Sequence, residues 1–184
     1  MIRLFAALAI PPAIAEGLVR RQTGLAEAKW RPTEAFHITL RFFGDIQETL
    51  AADLDAELAK VTCPPLALEL AGVGAFGEGR DIHAVWAGVE AQSDLNALHK
   101  ACEAAGRRAG LEPNSRRYRP HVTLAYLRRA NPADVAQWIA ANNLLHSPSF
   151  AVSDFGLYSS WQTEQGSRYR LERTYPLASL GRLA

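Results

Sequence analysis

The chain has 184 residues, of which 48% are hydrophobic and 21% are charged, and its formal net charge is +1. A chain of this length buries about 70% of its unfolded surface, so it needs no disulfide or metal in order to fold. The small net charge argues against a protein that coats nucleic acid nonspecifically. No apolar run approaches the length of a membrane-spanning helix.

The hydrophobic pattern predicts strands that alternate with helices. Leu50, Leu54 and Leu58 recur at the spacing of one helical face, and Asn131 followed by Pro132 is typical of a helix start. The predicted elements are, in chain order, strand 2–10, helix 14–29, strand 36–43, helix 48–61, strands 66–76 and 82–89, helix 93–108, strand 119–127, helix 132–145, and strands 150–161 and 168–177.

These elements form a repeat, because strand, helix, strand, helix, strand occurs over residues 2–76 and again over 82–161. The third element of each repeat contains the motif His-x-Thr-Leu, at residues 37–40 and 121–124. A duplicated unit often folds as two lobes related by a pseudo-twofold axis, which brings equivalent positions of the lobes toward each other. The repeat therefore predicts that His37 and His121, 84 residues apart, face one cleft.

The paired motif is more specific than either copy alone. Composition predicts about 0.03 His-x-Thr-Leu matches in this chain, so two matches are rare by chance. Side chains alternate between the faces of a strand, which places each histidine and threonine on one face and the apolar residues of the motif in the core. One copy alone would indicate a half-buried strand with a polar outer face, whereas the pair favours a site.

The motifs and their flanks resemble a known family. Two His-x-Thr-x motifs in duplicated halves are similar to those of the 2H phosphoesterase superfamily. The strings Arg-Leu-Phe-Ala-Ala at 3–7, His-Ile-Thr-Leu-Arg-Phe-Phe-Gly at 37–44 and Arg-Pro-His-Val-Thr-Leu at 119–124 resemble those of the bacterial and archaeal RNA 2′,3′-cyclic phosphodiesterases, also called 2′-5′ RNA ligases. The resemblance covers nearly the whole chain.

The resemblance implies an α+β fold, in which two lobes form a single domain over residues 1–184, antiparallel sheets line a central cleft and helices lie outside. It also implies hydrolysis of RNA 2′,3′-cyclic phosphate to a 2′-phosphate end, with weak 2′-5′ ligation in reverse and neither metal nor cofactor. Histidine titrates near neutral pH and suits both halves of such a reaction. In the family, the first histidine is the proton donor and the second the acceptor, which implies His37 as donor and His121 as acceptor. The residues alone leave that order open.

Further residues are candidates for substrate binding. Thr39 and Thr123 would donate hydrogen bonds to the phosphate oxygens, although threonine is also common in strands. We expect Arg41, in phase with His37, and Arg119, in phase with His121, to hold phosphates. Family members usually carry a basic residue where this chain has Tyr126, so one phosphate contact is in doubt. Tyr126 could instead stack a base of single-stranded RNA, and Arg128 could replace the missing cation.

Other interpretations carry less support. The run of glycines at 72–77 matches a dinucleotide-binding pattern but leads into another strand, which favours a hairpin turn. His83, His99 and His146 lie at no recognised metal-ligand spacing. A noncatalytic module that binds RNA ends, and a 2H enzyme that acts on another cyclic phosphate, stay open.

The compartment and oligomeric state are expectations of the same kind. The apolar N-terminus imitates a signal peptide, but Pro11 and Pro12 interrupt it. Cys63 and Cys102 form no disulfide or zinc pattern. We therefore expect a cytoplasmic protein, without membrane partners, that acts as a monomer on RNA bearing 2′,3′-cyclic phosphate ends.

Overall fold

The computed structural model describes residues 1–163 and 166–178. This part of the chain forms ten strands and four α-helices. The strands are β1 (Ile2–Ala9), β2 (Ala28–Trp30), β3 (His37–Ile46), β4 (Leu66–Leu68), β5 (Leu70–Phe76), β6 (Ala84–Val89), β7 (His121–Leu127), β8 (Phe150–Val152), β9 (Asp154–Thr163) and β10 (Gly166–Pro176). The helices are α1 (Pro12–Val19), α2 (Glu48–Leu58), α3 (Ser93–Arg108) and α4 (Pro132–Asn142).

Two four-stranded sheets organise the fold. The first sheet has the order β10-β9-β1-β3, the second has the order β2-β7-β6-β5, and β4 pairs with β8 separately. Every pair of neighbouring strands is antiparallel. The predicted α+β fold with two antiparallel sheets is therefore confirmed.

The sheets do not coincide with the two halves of the chain. The last strand of the first half, β5, pairs with β6 in the second sheet, and β9 from the second half pairs with β1 in the first sheet. The predicted strands 66–76 and 150–161 are each broken, after Leu68 and after Val152, so that the short pieces β4 and β8 pair with one another. Each half thus contributes strands to both sheets, which ties the lobes together.

The predicted helix over 14–29 is wrong in length. Helix α1 ends at Val19, and Gly24 and Glu27 have φ values of +78° and +61°, which an α-helix does not contain. Leu25 lies in this loop and its side chain is buried, so its helical spacing from Leu18 did not indicate a helix. The loop leads into β2, which pairs with the end of β7.

The other helices begin where the sequence indicates. Helix α4 starts at Pro132, and the Asn131 side chain accepts a hydrogen bond of 3.0 Å from the backbone N–H of Ala133. The helices bury one face, through leucines such as Leu54 of α2 and Leu98 of α3. No helix within the described ranges is long and apolar enough to cross a membrane.

Candidate active site

The two motif strands have the same local structure. Strands β3 and β7 each begin at the motif histidine, and their first seven residues follow an identical order of buried and exposed positions. In both strands the pairing register skips the motif leucine: Ala6 and Ala7 of β1 pair with Arg41 and Thr39, and the partners of β7 skip Leu124 in the same way. Each motif therefore ends in a β-bulge, which reverses the alternation of faces beyond it.

The bulge corrects the prediction for Arg41. Because Leu40 is the extra residue, Arg41 turns away from the face of His37 and Thr39, and it is 3% exposed. Its guanidinium forms an ion pair with Glu103 and donates a hydrogen bond of 2.6 Å to the carbonyl of Glu112. Arg41 touches the cleft from within the fold, and its two terminal nitrogens bind Glu103 of α3 and the carbonyl of Glu112 beyond that helix.

The residue two positions after the motif leucine is exposed in both strands. Phe42 on β3 and Tyr126 on β7 are each 43% exposed and line the same cavity of about 690 Å³. Thr39 lines this cavity from the first sheet, whereas His121 and Thr123 line it from the second. The cavity is therefore a cleft between the two motif strands.

The two histidines are close enough to interact electrostatically. Burial of the ring is the main cause that lowers the pKa of His37 to about 4, and the charges of Arg31 and His121 lower it further. Burial also lowers the pKa of His121, and the positive charge of Arg119 lowers it further. Both imidazoles are therefore neutral at pH 7 in the free protein.

A backbone carbonyl fixes the tautomer of the His121 ring. His121 Nδ1 lies 2.7 Å from the carbonyl oxygen of Arg119, and a carbonyl oxygen can only accept, so Nδ1 carries the hydrogen and Nε2 carries the lone pair. At His37 the backbone of Ala35, also two residues earlier, acts in the direction of a higher pKa through a hydrogen bond. In both motifs the backbone two residues before the histidine therefore interacts with the ring.

Aromatic rings pack against each histidine and cover part of it. The His37 ring lies 4.9 Å from the ring of Phe5 and 5.0 Å from that of Tyr169. The His121 ring lies 4.8 Å from the ring of Phe76. This apolar packing is the physical source of the desolvation that lowers both pKa values.

The predicted arginines separate into two groups. Arg119 lines the cleft and its guanidinium lies 5.9 Å from the Trp86 ring, and Arg116 and Arg117 line the same cleft. Arg128, which we considered as a replacement cation, does not line this cleft but borders another surface depression with Glu27.

The glycine run shapes a turn, and of the other histidines His83 and His99 line the cleft whereas His146 lies outside it. A side chain on Gly77, in the turn after β5, would collide with the Asp81 carbonyl, so these glycines shape the β5–β6 hairpin, as the sequence predicts. The ligand atoms of Glu69, Glu90 and His146 lie within 4.8 Å of one another, but none of these residues lines the cleft. That cluster offers no ligand to a reaction at His37 and His121.

Three residues near the histidines were missed by the sequence argument. Phe42 was not considered, because strict alternation from His37 would place it on the core face and the bulge was not anticipated. Tyr169 lies on β10, remote in sequence from either motif, and carries no local signal. Arg31 reaches His37 only because β2 pairs with β7; the adjacent Pro32, which ends the strand before the first motif, is the nearest clue to its importance.

The fold and the paired motifs define a two-lobed protein of the 2H phosphoesterase class. The chain belongs to the 2′-5′ RNA ligase superfamily, whose family model matches residues 10–163. The family membership predicted from the two motifs is thus confirmed.

Relatives and solved structures agree with this assignment. An RNA 2′,3′-cyclic phosphodiesterase of Aeropyrum pernix is 32% identical over 152 residues, covering 82% of this chain and 86% of the relative. One of Archaeoglobus fulgidus is 28% identical over 177 residues, covering 95% and 99%. The structure of E. coli LigT complexed with 3′-AMP has a TM-score of 0.78 at 24% identity and covers 97% of this chain and 99% of LigT. Thermus thermophilus TT0787 has a TM-score of 0.79 at 23% identity, with coverage of 97% and 100%.

Proposed function

We propose that this protein is an RNA 2′,3′-cyclic phosphodiesterase that hydrolyses the terminal cyclic phosphate to a 2′-phosphate. The observation that carries the proposal is the pair of half-buried histidines, His37 and His121, which interact electrostatically beside a cleft that His121 and the threonines of both motifs line. Curated relatives that align with most of this chain are named for the same activity. Reversal of the same step would join RNA ends through a 2′-5′ linkage.

The geometry suits a reaction in which one ring accepts a proton and the other donates one. The lone pair on Nε2 of His121 removes a proton from water as the water oxygen attacks phosphorus. The bond from phosphorus to the ribose 3′ oxygen then breaks, and His37 in its protonated form gives that oxygen a proton. The step moves one proton from water to His121 and one from His37 to the 3′ oxygen, so the total charge of the pair is unchanged and the two histidines exchange protonation states.

Binding of the substrate favours the protonated form of His37, which the ring needs in order to act as donor. In the free protein its pKa is about 4, so the ring is neutral near pH 7. The cyclic phosphate carries a negative charge, and an anion close to the imidazole raises its pKa. We therefore expect binding of the phosphate to be accompanied by uptake of a proton.

The threonines and the cleft wall complete the proposed site. Thr39 and Thr123 lie two residues beyond the histidines on the same strand faces, where their hydroxyls can donate to phosphate oxygens as charge develops. Tyr126 offers an exposed ring for a base, and Arg119 adds positive charge beside His121. We expect the reaction to need no metal or cofactor and the protein to work as a cytoplasmic monomer.

The proposal is tested by a cleavage assay with EDTA present. The substrate is a short RNA with a 2′,3′-cyclic phosphate end, and the product end is mapped. We expect wild type and His146→Ala, a control outside the cleft, to give a 2′-phosphate, whereas His37→Ala and His121→Ala give almost none. Folded wild type that binds the RNA end without cleaving it would refute the proposal and favour a noncatalytic binding module. Cleavage that stops with EDTA would refute metal independence.

A further inference from the structure

Arg31 is a buried arginine beside both motifs. It directly follows β2, and its backbone N–H donates a hydrogen bond of 2.8 Å to the carbonyl of Leu124, the bulged residue of the second motif. Its side chain spans to the first sheet, where Nη2 lies 3.3 Å from the carbonyl oxygen of Ser167 on β10. Arg31 therefore connects the two sheets beside the second motif.

Within the part of the chain that the structure describes, this buried cation forms no ion pair with a carboxylate. Arg31 is 5% exposed, yet it takes part in none of the ion pairs found within residues 1–163 and 166–178. Arg41, equally buried, is instead neutralised by Glu103. An uncompensated charge in a protein interior is unfavourable, so the environment of Arg31 is better suited to an anion that arrives from solution.

The surroundings of Arg31 point toward the reaction site. Its guanidinium carbon lies 5.6 Å from the centre of the Tyr126 ring and 5.4 Å from that of Tyr169. The Tyr169 ring in turn contacts the His37 ring. Arg31 also acts electrostatically on His37. The guanidinium thus lies near two aromatic rings and close to His37. Within the described residues its only side-chain hydrogen bond is the one from Nη2 to the Ser167 carbonyl.

We propose that Arg31 binds the terminal phosphate of the substrate, opposite Arg119, and so supplies the cation that Tyr126 cannot. A guanidinium can bind two phosphate oxygens through parallel hydrogen bonds, and the Ser167 carbonyl and the two rings restrict its motion. The inference rests on the proposed function, because it names the group that holds the phosphate at that same site.

The test compares the binding of two RNA oligonucleotides that differ only in the end group. One ends in a 2′-phosphate and the other in a 2′-hydroxyl. The Kd of the hydroxyl-ended RNA divided by the Kd of the phosphate-ended RNA measures recognition of the phosphate without any turnover. We expect Arg31→Met to reduce this ratio about 10- to 150-fold, the effect of losing a hydrogen bond to a charged group. Arg128→Met, which removes an arginine outside the cleft, should keep the wild-type ratio.

Thermal unfolding separates phosphate binding from a structural role. Removal of an uncompensated buried charge should leave the unfolding midpoint of Arg31→Met unchanged or higher. If Arg31→Met does not fold, Arg31→Gln gives the same comparison, because it removes the charge and keeps a donor for the Ser167 carbonyl. A lowered midpoint with an unchanged Kd ratio would overturn the proposal.

The outcomes distinguish this proposal from the proposed function. Active wild-type enzyme whose Kd ratio is unaffected by loss of Arg31 would overturn the assignment of Arg31 alone. A different result would be that wild type leaves the cyclic phosphate intact while Arg31→Met loses the phosphate recognition that wild type shows. That result would refute the proposed function and support Arg31 as the phosphate-binding residue.

Discussion

The buried state of His37 makes folding stability depend on pH in a way that one substitution should remove. In the folded protein the pKa of His37 is about 4, below its ordinary value of 6.5, with burial as the largest cause. The unfolded chain therefore binds a proton at this residue below about pH 6.5, where the folded protein resists doing so. Stability from this source is complete above that pH and is lost as the pH falls toward 4.

The size of the effect follows from the difference between the two pKa values. Each pKa unit corresponds to about 1.4 kcal/mol, so the free energy of unfolding should fall by about 3 kcal/mol between neutral pH and pH 4 through His37 alone. This is an upper value, since the side chain is only half-buried by surface exposure and water reaches part of the ring. His37→Gln lacks the titrating group, so between neutral pH and pH 4 its free energy of unfolding should fall by up to about 3 kcal/mol less than that of wild type.

Urea denaturation followed by tryptophan fluorescence measures this difference. Wild type, His37→Gln and the control His146→Gln are unfolded at several values between about pH 7.5 and about pH 4. The free energy of unfolding of wild type relative to His37→Gln should decline with falling pH, whereas the control should follow wild type. Parallel curves for wild type and His37→Gln would refute the buried, neutral state of His37.

Three further predictions concern the rate, the buried arginine and the exposed tyrosine. Because both histidine pKa values are lowered in the free protein, a plot of kcat/KM against pH should be bell-shaped with its maximum below about pH 6.5. The maximum of kcat should lie at higher pH, because the bound phosphate raises the pKa of His37. A flat profile, or equal maxima for the two parameters, would contradict this. Arg41→Met should lower the free energy of unfolding by about 3 to 5 kcal/mol in urea denaturation, since it leaves Glu103 and the Glu112 carbonyl without their partner; unchanged stability would show that the ion pair is weak. Tyr126→Ala should weaken RNA binding by about 1 to 3 kcal/mol in a titration while kcat stays close to wild type, if the ring stacks on a base; equal affinity would exclude stacking.

The repeated motif made the main features of the site predictable. A histidine and threonine two residues apart in a strand must share a face, and the duplication implied that the two copies meet. The start of α4 at Pro132 could be read from the sequence because its cap is a local interaction. These features depend on residues close together in the chain or on the repeat itself.

The features that were missed depend on contacts between distant segments. Nothing in the local pattern indicates that Leu40 is skipped in pairing, and that bulge sends Arg41 inward and Phe42 outward. The exchange of β5 and β9 between the sheets likewise follows from strand pairing rather than from hydrophobic periodicity. Arg31 could not be placed beside His37 without knowing that the segment before the first motif lies along β7.

The measurement that tests the central claim most directly is the single-turnover cleavage rate of His37→Ala, His121→Ala and the double variant. If the two rings serve one step, each single substitution should lower the rate by about 10²- to 10⁴-fold. The double variant should then be little slower than the slower single variant. A single variant that cleaves at the wild-type rate, or losses that multiply fully in the double variant, would contradict a paired acid and base at one phosphate.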